Sequence, residues 1–329
     1  MSQAHLNQSN SITQSQRKGR VGTLTTNPAI DQTVTLDHFT LGKVNRCHHM
    51  RFDAGGKGVN VALRLADYGL PVAATGFLGE QNTALFEQTF SRKAIEDRFI
   101  RTAGETRVNV KIIDVAEQQT SDINAAGVKP NDEDVQALLK TLDEMAEQCE
   151  WFILGGRLQD SLPTDLYAQM TTRLKAKNCK VILDSSGEAL RLGLSAGPDV
   201  IKPNIDELSE LVGKSLTDTA QVLASARSLL NEQTQLVVVS MGGDGAMFVR
   251  ANEALIARPP QVDIKSTVGA GDAMVAGMVA GFCQNLPLGE CASLGTAFSL
   301  SAITNFVRDL PPKDVLEQWQ AQVVIQPLL

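Results

Sequence analysis

The sequence has no run of eighteen apolar residues, so it predicts no membrane-spanning helix. It has no C-x-x-C pair, and its five cysteines, Cys47, Cys149, Cys179, Cys283 and Cys291, are an odd number. That argues against a disulfide framework and for the reduced thiols of a cytoplasmic protein. Its four histidines all precede position 50, so zinc spacing is absent and no histidine is assigned a catalytic role. Positive charge is not in excess: the net charge is −7, which argues against a nucleic-acid partner. Met1 to Arg20 lacks the apolar stretch of a signal peptide, and its Gln-, Ser- and Asn-rich composition predicts a disordered tail. No internal repeat interrupts the rest.

What is present suits a sizeable α/β fold. The 329 residues are 43% hydrophobic, enough for one large domain with a small insertion, or for two domains. Strand-like runs fall at 21–25, 72–76, 151–154, 181–184, 200–201 and 236–240, with helical stretches between them. That alternation predicts a doubly wound, mostly parallel sheet flanked by helices over 21–329. Two regions break it. Residues 33–52 and 99–123 each carry β-prone sequence with no helix inside, and predict strands that pair into one small antiparallel sheet.

Two glycine-rich segments carry the chemistry. In Ser266-Thr267-Val268-Gly269-Ala270-Gly271-Asp272 the glycines permit a tight turn, and the apolar run after Asp272 reads as a buried helix. The N–H groups of Gly269, Ala270 and Gly271 then lie at a helix N-terminus, which favours an anion. Asp272 beside that anion suits a general base next to a transferring phosphoryl group, or else a simple helix cap. In the second segment, Gly55-Gly56-Lys57-Gly58-Val59-Asn60, the glycines allow a polar ligand close to the backbone, and Lys57 and Asn60 add donors. Gly213-Lys214-Ser215 has only the tail of a P-loop, since Leu208 stands where its first glycine belongs.

Further candidates lie elsewhere. Asp31 follows Asn27-Pro28 at a strand end, where a carboxylate can accept hydrogen bonds from ligand hydroxyls or shape a turn. Arg107, Asn109 and Lys111 alternate along a strand and share one face, suited to a phosphate or to solvent. Lys202-Pro203-Asn204 ends a strand, where open α/β sheets bind ligands, and Glu207 lies one helical turn on. Asn204 and Glu207 also have the spacing of a capping box. Ser240, Gly242 and Gly245 form a loop that lets a phosphate approach, or a hairpin turn.

Together with Thr26-Asn27-Pro28-Ala29-Ile30-Asp31, Thr106-Arg107-Val108-Asn109-Val110-Lys111 and Asp184-Ser185-Ser186, these segments make the chain resemble the ribokinase-like sugar kinases, the PfkB family. The resemblance runs from about Val21 to the C-terminal helices. It implies ATP-dependent phosphorylation of a sugar phosphate with Mg²⁺: fructose 1-phosphate on its 6-hydroxyl, with tagatose 6-phosphate or fructose 6-phosphate as alternatives. A regulator without activity is the alternative of another class. The resemblance makes Asp272 the base and gives Asp31, Gly55, Gly56, Lys57, Asn60, Arg107, Asn109 and Lys111 to the sugar. Lys202, Asn204, Ser240, Gly242, Gly245, Thr267 and Val268 go to the nucleotide, and Asn204 and Glu207 to Mg²⁺ through water. It makes the small sheet a lid, and the lid a homodimer contact. The chain departs from the family at Gly155-Gly156-Arg157, where a sugar-facing serine is missing, and at Gly187.

Overall fold

The structure is a computed structural model that describes residues 19–265, 267–304 and 309–328. Most of the tail expected over 1–20, and Ser266, lie outside the described residues. The strands are Val21–Thr25 (β1), Ala29–Leu36 (β2), His49–Gly55 (β3), Val72–Gly79 (β4), Glu96–Asp97 (β5), Ile100–Thr102 (β6), Val108–Asp114 (β7), Gln119–Ile123 (β8), Trp151–Gly155 (β9), Lys180–Asp184 (β10), Val200–Ile201 (β11), Leu236–Ser240 (β12), Ala246–Val249 (β13), Ala254–Arg258 (β14) and Val324–Leu328 (β15).

The main sheet has the order β15-β14-β13-β12-β11-β10-β9-β1-β4-β5, with β6 also on β4. From β12 to β5 the neighbours run parallel, and β13, β14 and β15 close one edge antiparallel. Strands covered on both faces read as continuous apolar runs. In β9, Phe152 and Leu154 join one core while Ile153 joins the other. Order reverses around β1, so the C-terminal ends of β1, β9 and β10 meet at the place where such sheets bind ligands. There Thr25, Gly155 and Asp184 lie in one row.

The helix Ala270–Cys283 is buried all round from Asp272 to Gly281, as a helix between a sheet and another helix must be. It packs on Leu288–Thr304 at a seam of small residues: a Cβ added to Gly277 would lie 2.7 Å from the Gly295 Cα. Ser299 Oγ also donates to the Ala270 carbonyl at 2.8 Å. Among the described residues no helix is long and apolar enough to cross a membrane.

The small sheet forms, in the order β3-β2-β7-β8. It is not wholly antiparallel as the sequence predicts. The outer pairs are antiparallel, but β2 and β7 run parallel. The cause is where they come from. β1 and β6 both run parallel to β4. β2 continues β1 after residues 26–28, and β7 continues β6 after residues 103–107. Continuations of strands that point the same way leave the main sheet in the same direction. The sheet also starts at Ala29, ahead of the expected 33, and β6 belongs to the main sheet although it falls within 99–123.

Candidate active site

Gly269 caps the Ala270–Cys283 helix with φ 80°, in the left-handed region that glycine enters freely. The N–H of Ala273 donates to the Gly269 carbonyl at 2.9 Å. The N–H groups of Gly271 and Asp272 therefore project from the positive end of the helix, while that of Ala270 turns back to the Thr267 carbonyl at 3.5 Å. Asp272 is 6% exposed and makes no cap bond to its own helix; it accepts from Asn60 Nδ2 at 2.8 Å. Burial pushes its carboxyl above the usual range; Lys57 pulls against that, Asp184 adds to it, and the net shift is upward. A raised carboxyl is the better proton acceptor.

Beneath this helix end lies a floor of clustered charge, its aspartate and one lysine buried and its other lysine, Lys57, partly exposed. Lys57 opens the helix Lys57–Asp67, which abuts β1 so closely that a Cβ on Gly58 would sit 2.4 Å from the Leu24 carbonyl oxygen. Its Nζ donates to Asp184 Oδ1 at 3.0 Å, and Lys202 Nζ lies 3.3 Å from the same oxygen. Asp184 is 3% and Lys202 4% exposed. Burial pushes the Asp184 carboxyl up, but Lys202 and Lys57 together hold it below the usual range. Burial pulls Lys57 down, and Asp184 and then Asp272 more than offset that. A Cβ on Gly271 would lie 3.3 Å from Lys202 Nζ, so that ammonium lies against the opening residues of the helix.

A cleft of about 580 Å³ lies between the lid and the segments that carry Asn60 and Gly269. Asn60, Arg64, Val268 and Gly269 line it from below, and Thr33, Arg51 and Lys111 from the lid. Asp31 lies inside β2, paired on both sides, rather than at the expected strand end; it faces Asn109 of β7 in register, with Asn109 Nδ2 donating to Asp31 Oδ1 at 3.1 Å. Arg107 stands just before β7 and is turned inward. Its guanidinium donates to the carbonyls of Asn27, Pro28 and Ala125 at 3.1, 3.3 and 3.2 Å. Burial lowers its pKa. Lys111 pairs with Asp122 of β8 at 2.6 Å.

Asn204 and Glu207 do form the capping box of the helix Ile205–Val212, each backbone N–H donating to the other's side chain at 2.8 Å. Asn204 also bridges to Ser240, so the ends of β11 and β12 lie side by side. Gly242 and Gly245, at φ 60° and 91°, bound the turn that follows. The structure thus groups Asn204, Ser240, Gly242 and Gly245 at neighbouring strand ends. It sets Lys202 in the floor and Val268 in the cleft; Thr267 is exposed beside it. Gly55 ends β3 opposite Ala29, and Gly56 caps the Lys57 helix.

Two residues at this site were given no role from sequence. Asp184 is one. Arg64 is the other: it is 4% exposed, donates to the Asn60 carbonyl at 3.2 Å, and has Nη2 3.7 Å from where a Gly269 Cβ would be. Its one signal is the i, i+4 spacing from Asn60, which puts both on one helix face.

The description "pfkB family carbohydrate kinase" matches residues 24–307. The 1-phosphofructokinase of Rhodobacter capsulatus is 43% identical over 310 residues, covering 94% of this chain and 98% of that one. That of Vibrio cholerae is 38% identical over 309 residues, covering 94% and 97%. Among solved structures, phosphofructokinase-2 from Escherichia coli in complex with fructose-6-phosphate superposes with a TM-score of 0.83 at 27% identity, covering 92% of this chain and 98% of that one. A possible 1-phosphofructokinase from Thermotoga maritima gives 0.86 at 25% identity, covering 94% and 100%.

Proposed function

The chain belongs to the pfkB family of carbohydrate kinases, and from that premise we propose that it transfers the γ-phosphoryl group of ATP to the 6-hydroxyl of fructose 1-phosphate, giving fructose 1,6-bisphosphate and ADP. The observation that carries this is Asp272: a buried carboxyl, shifted upward, in the first turn of a helix whose opening residues lie against an ammonium. The 6-hydroxyl donates its proton to Asp272 as its oxygen bonds to the γ-phosphorus. The bond from that phosphorus to the bridging oxygen breaks, and ADP leaves. The N–H groups of Gly271 and Asp272, with Lys202, stabilise charge on the transferring group.

The sugar lies in the cleft, with Asp31 and Asn109 on its hydroxyls. Arg107 and Lys111 hold its remote phosphate, Lys57 reaches its reacting end from the floor, and that binding energy orients the reacting hydroxyl. ATP lies along Asn204, Ser240, Gly242, Gly245, Thr267 and Val268. Among the described residues no three His, Cys, Asp or Glu side chains form a metal cage. The donors fit a Mg²⁺ that arrives on ATP and keeps its waters, since Asn204 and Glu207 offer hard oxygens. Bound there, Mg²⁺ would neutralise phosphate charge.

The 34–43% identity to 1-phosphofructokinases favours fructose 1-phosphate. The likeness to an enzyme solved with fructose-6-phosphate keeps that sugar as the second substrate to test, with tagatose 6-phosphate. A coupled ADP-release assay at equal ATP compares all three. Fructose 1-phosphate is expected to give the highest kcat/KM; another sugar ahead of it replaces the substrate, and no sugar-dependent release ends the kinase reading. We extend the reading to assembly. Leu41, Val44, Phe52 and Ile123 expose apolar surface on the lid, suited to a second copy. Phe52→Asp should shift the mass measured by light scattering toward a monomer. Five cysteines outside any disulfide fit the reducing cytoplasm.

A further inference from the structure

We infer that Asp184 is a positioning residue for this reaction: a fixed, buried counter-anion that holds the Lys57 and Lys202 ammonium groups under the phosphoryl site and keeps Lys57 off the Asp272 carboxylate. The inference rests on the kinase reading above. Asp184 cannot shift far. It ends β10, its own carbonyl accepts from Gly156 N at 3.0 Å, and Lys202 N donates to the preceding carbonyl, Leu183, at 3.2 Å. One of its oxygens takes ammonium groups from two directions, Lys57 from a helix start and Lys202 from a strand end. Asp184 is the only ion-pair partner of either lysine among the described residues.

The next carboxylates that Lys57 feels are Asp272 and then Glu207. Around Asp272 the charged groups are Lys57, Asp184 and Arg64, with Asn60 donating to it. A lysine released by Asp184 therefore turns to the base. A base in a direct ion pair is a weaker proton acceptor, because the opposite charge favours its ionised form.

The test is the pH profile of kcat/KM for fructose 1-phosphate at saturating ATP. In Asp184→Asn the value should fall about 10²-fold, the cost of misplacing reacting groups by about an ångström. Its acid limb should move to lower pH. In Asp184→Asn/Lys57→Gln the limb should return toward the wild-type position while the rate stays low. Asp184→Asn strands two ammonium groups, so melting curves must show that it folds. If it does not, Asp184→Asn/Lys202→Met strands only Lys57, and its limb is expected at the same lower pH. An unmoved limb in the folded variant, or a Lys57 double variant that matches the single one, overturns the inference. Wild-type protein without sugar-phosphate-dependent ADP release overturns the reading beneath it, a different outcome.

Discussion

The floor of the site and its lid are built on opposite terms. In the floor, Asp184, Lys202 and Asp272 are almost wholly buried and every charge has a partner across a helix or strand end. On the lid, Lys111 pairs with a half-exposed Asp122, and apolar side chains such as Leu41 and Val44 face outward. Buried charge is expensive to leave unpaired, so the floor holds one geometry. Exposed pairs contribute little and rearrange at low cost. On the proposed reading, chemistry falls to the floor and selection of the sugar to the lid.

The sharpest break of this contrast is at the base. Asp272→Asn should lower kcat by about 10²–10⁴-fold with little change in KM, since ground-state binding rests elsewhere. Because burial raises the Asp272 carboxyl, wild-type kcat/KM should begin to fall on the acid side above the ordinary aspartate range, and the variant should lose that limb. Near-full activity of the variant would falsify the assignment. Next comes the link between floor and lid. Arg107→Ala should lose roughly 1.5–3 kcal/mol in kcat/KM for the phosphorylated sugar, the scale of a charged hydrogen bond, with the KM for ATP unchanged. An equal loss for ATP would show that the guanidinium only holds the fold through Asn27, Pro28 and Ala125.

Glu207→Gln is expected to have a smaller effect. The amide oxygen can still accept from Asn204 N–H, so melting should hold while the Mg²⁺ concentration for half-maximal rate rises. An unchanged Mg²⁺ titration leaves the capping role alone. The smallest effect belongs to the lid surface. Lys111→Ala breaks a pair with a half-exposed carboxylate and should cost no more than about 1 kcal/mol in denaturant unfolding. A few-fold rise in KM for the sugar phosphate on that unchanged background marks a substrate contact; no rise leaves Lys111 as lid surface.

Much of the floor was legible because its signals are local. The runs that became β1, β9, β10, β11 and β12 are short and apolar, and the glycines around Lys57 and Asp272 mark helix starts within a few residues. The parallel pairing of β2 with β7 was not legible. It depends on the direction of β1 and β6, set by a sheet that no local pattern describes. Asp184 escaped for a similar reason, since its meaning comes from Lys57 and Lys202, distant in sequence. Arg64 was hidden in an otherwise apolar run, between Leu63 and Leu65, where a charged residue reads as the solvent side of the helix. Arg107 was seen as a strand donor, but its three carbonyl partners come from loops on either side of the lid.

The seam between Gly277 and Gly295 carries a consequence for how such a sequence can drift. With a Cβ at Gly277 placed 2.7 Å from backbone, that helix pair tolerates no larger side chain without moving apart. Moving apart displaces the helix that bears Asp272, whose first turn is also tied through Ser299. Exchanges two turns from the reacting atoms are thus as restricted as exchanges beside them. On the proposed reading, the exposed polar positions of the lid, away from the apolar patch offered to a second copy, are where variation can accumulate and where a change of sugar can begin without disturbing the chemistry.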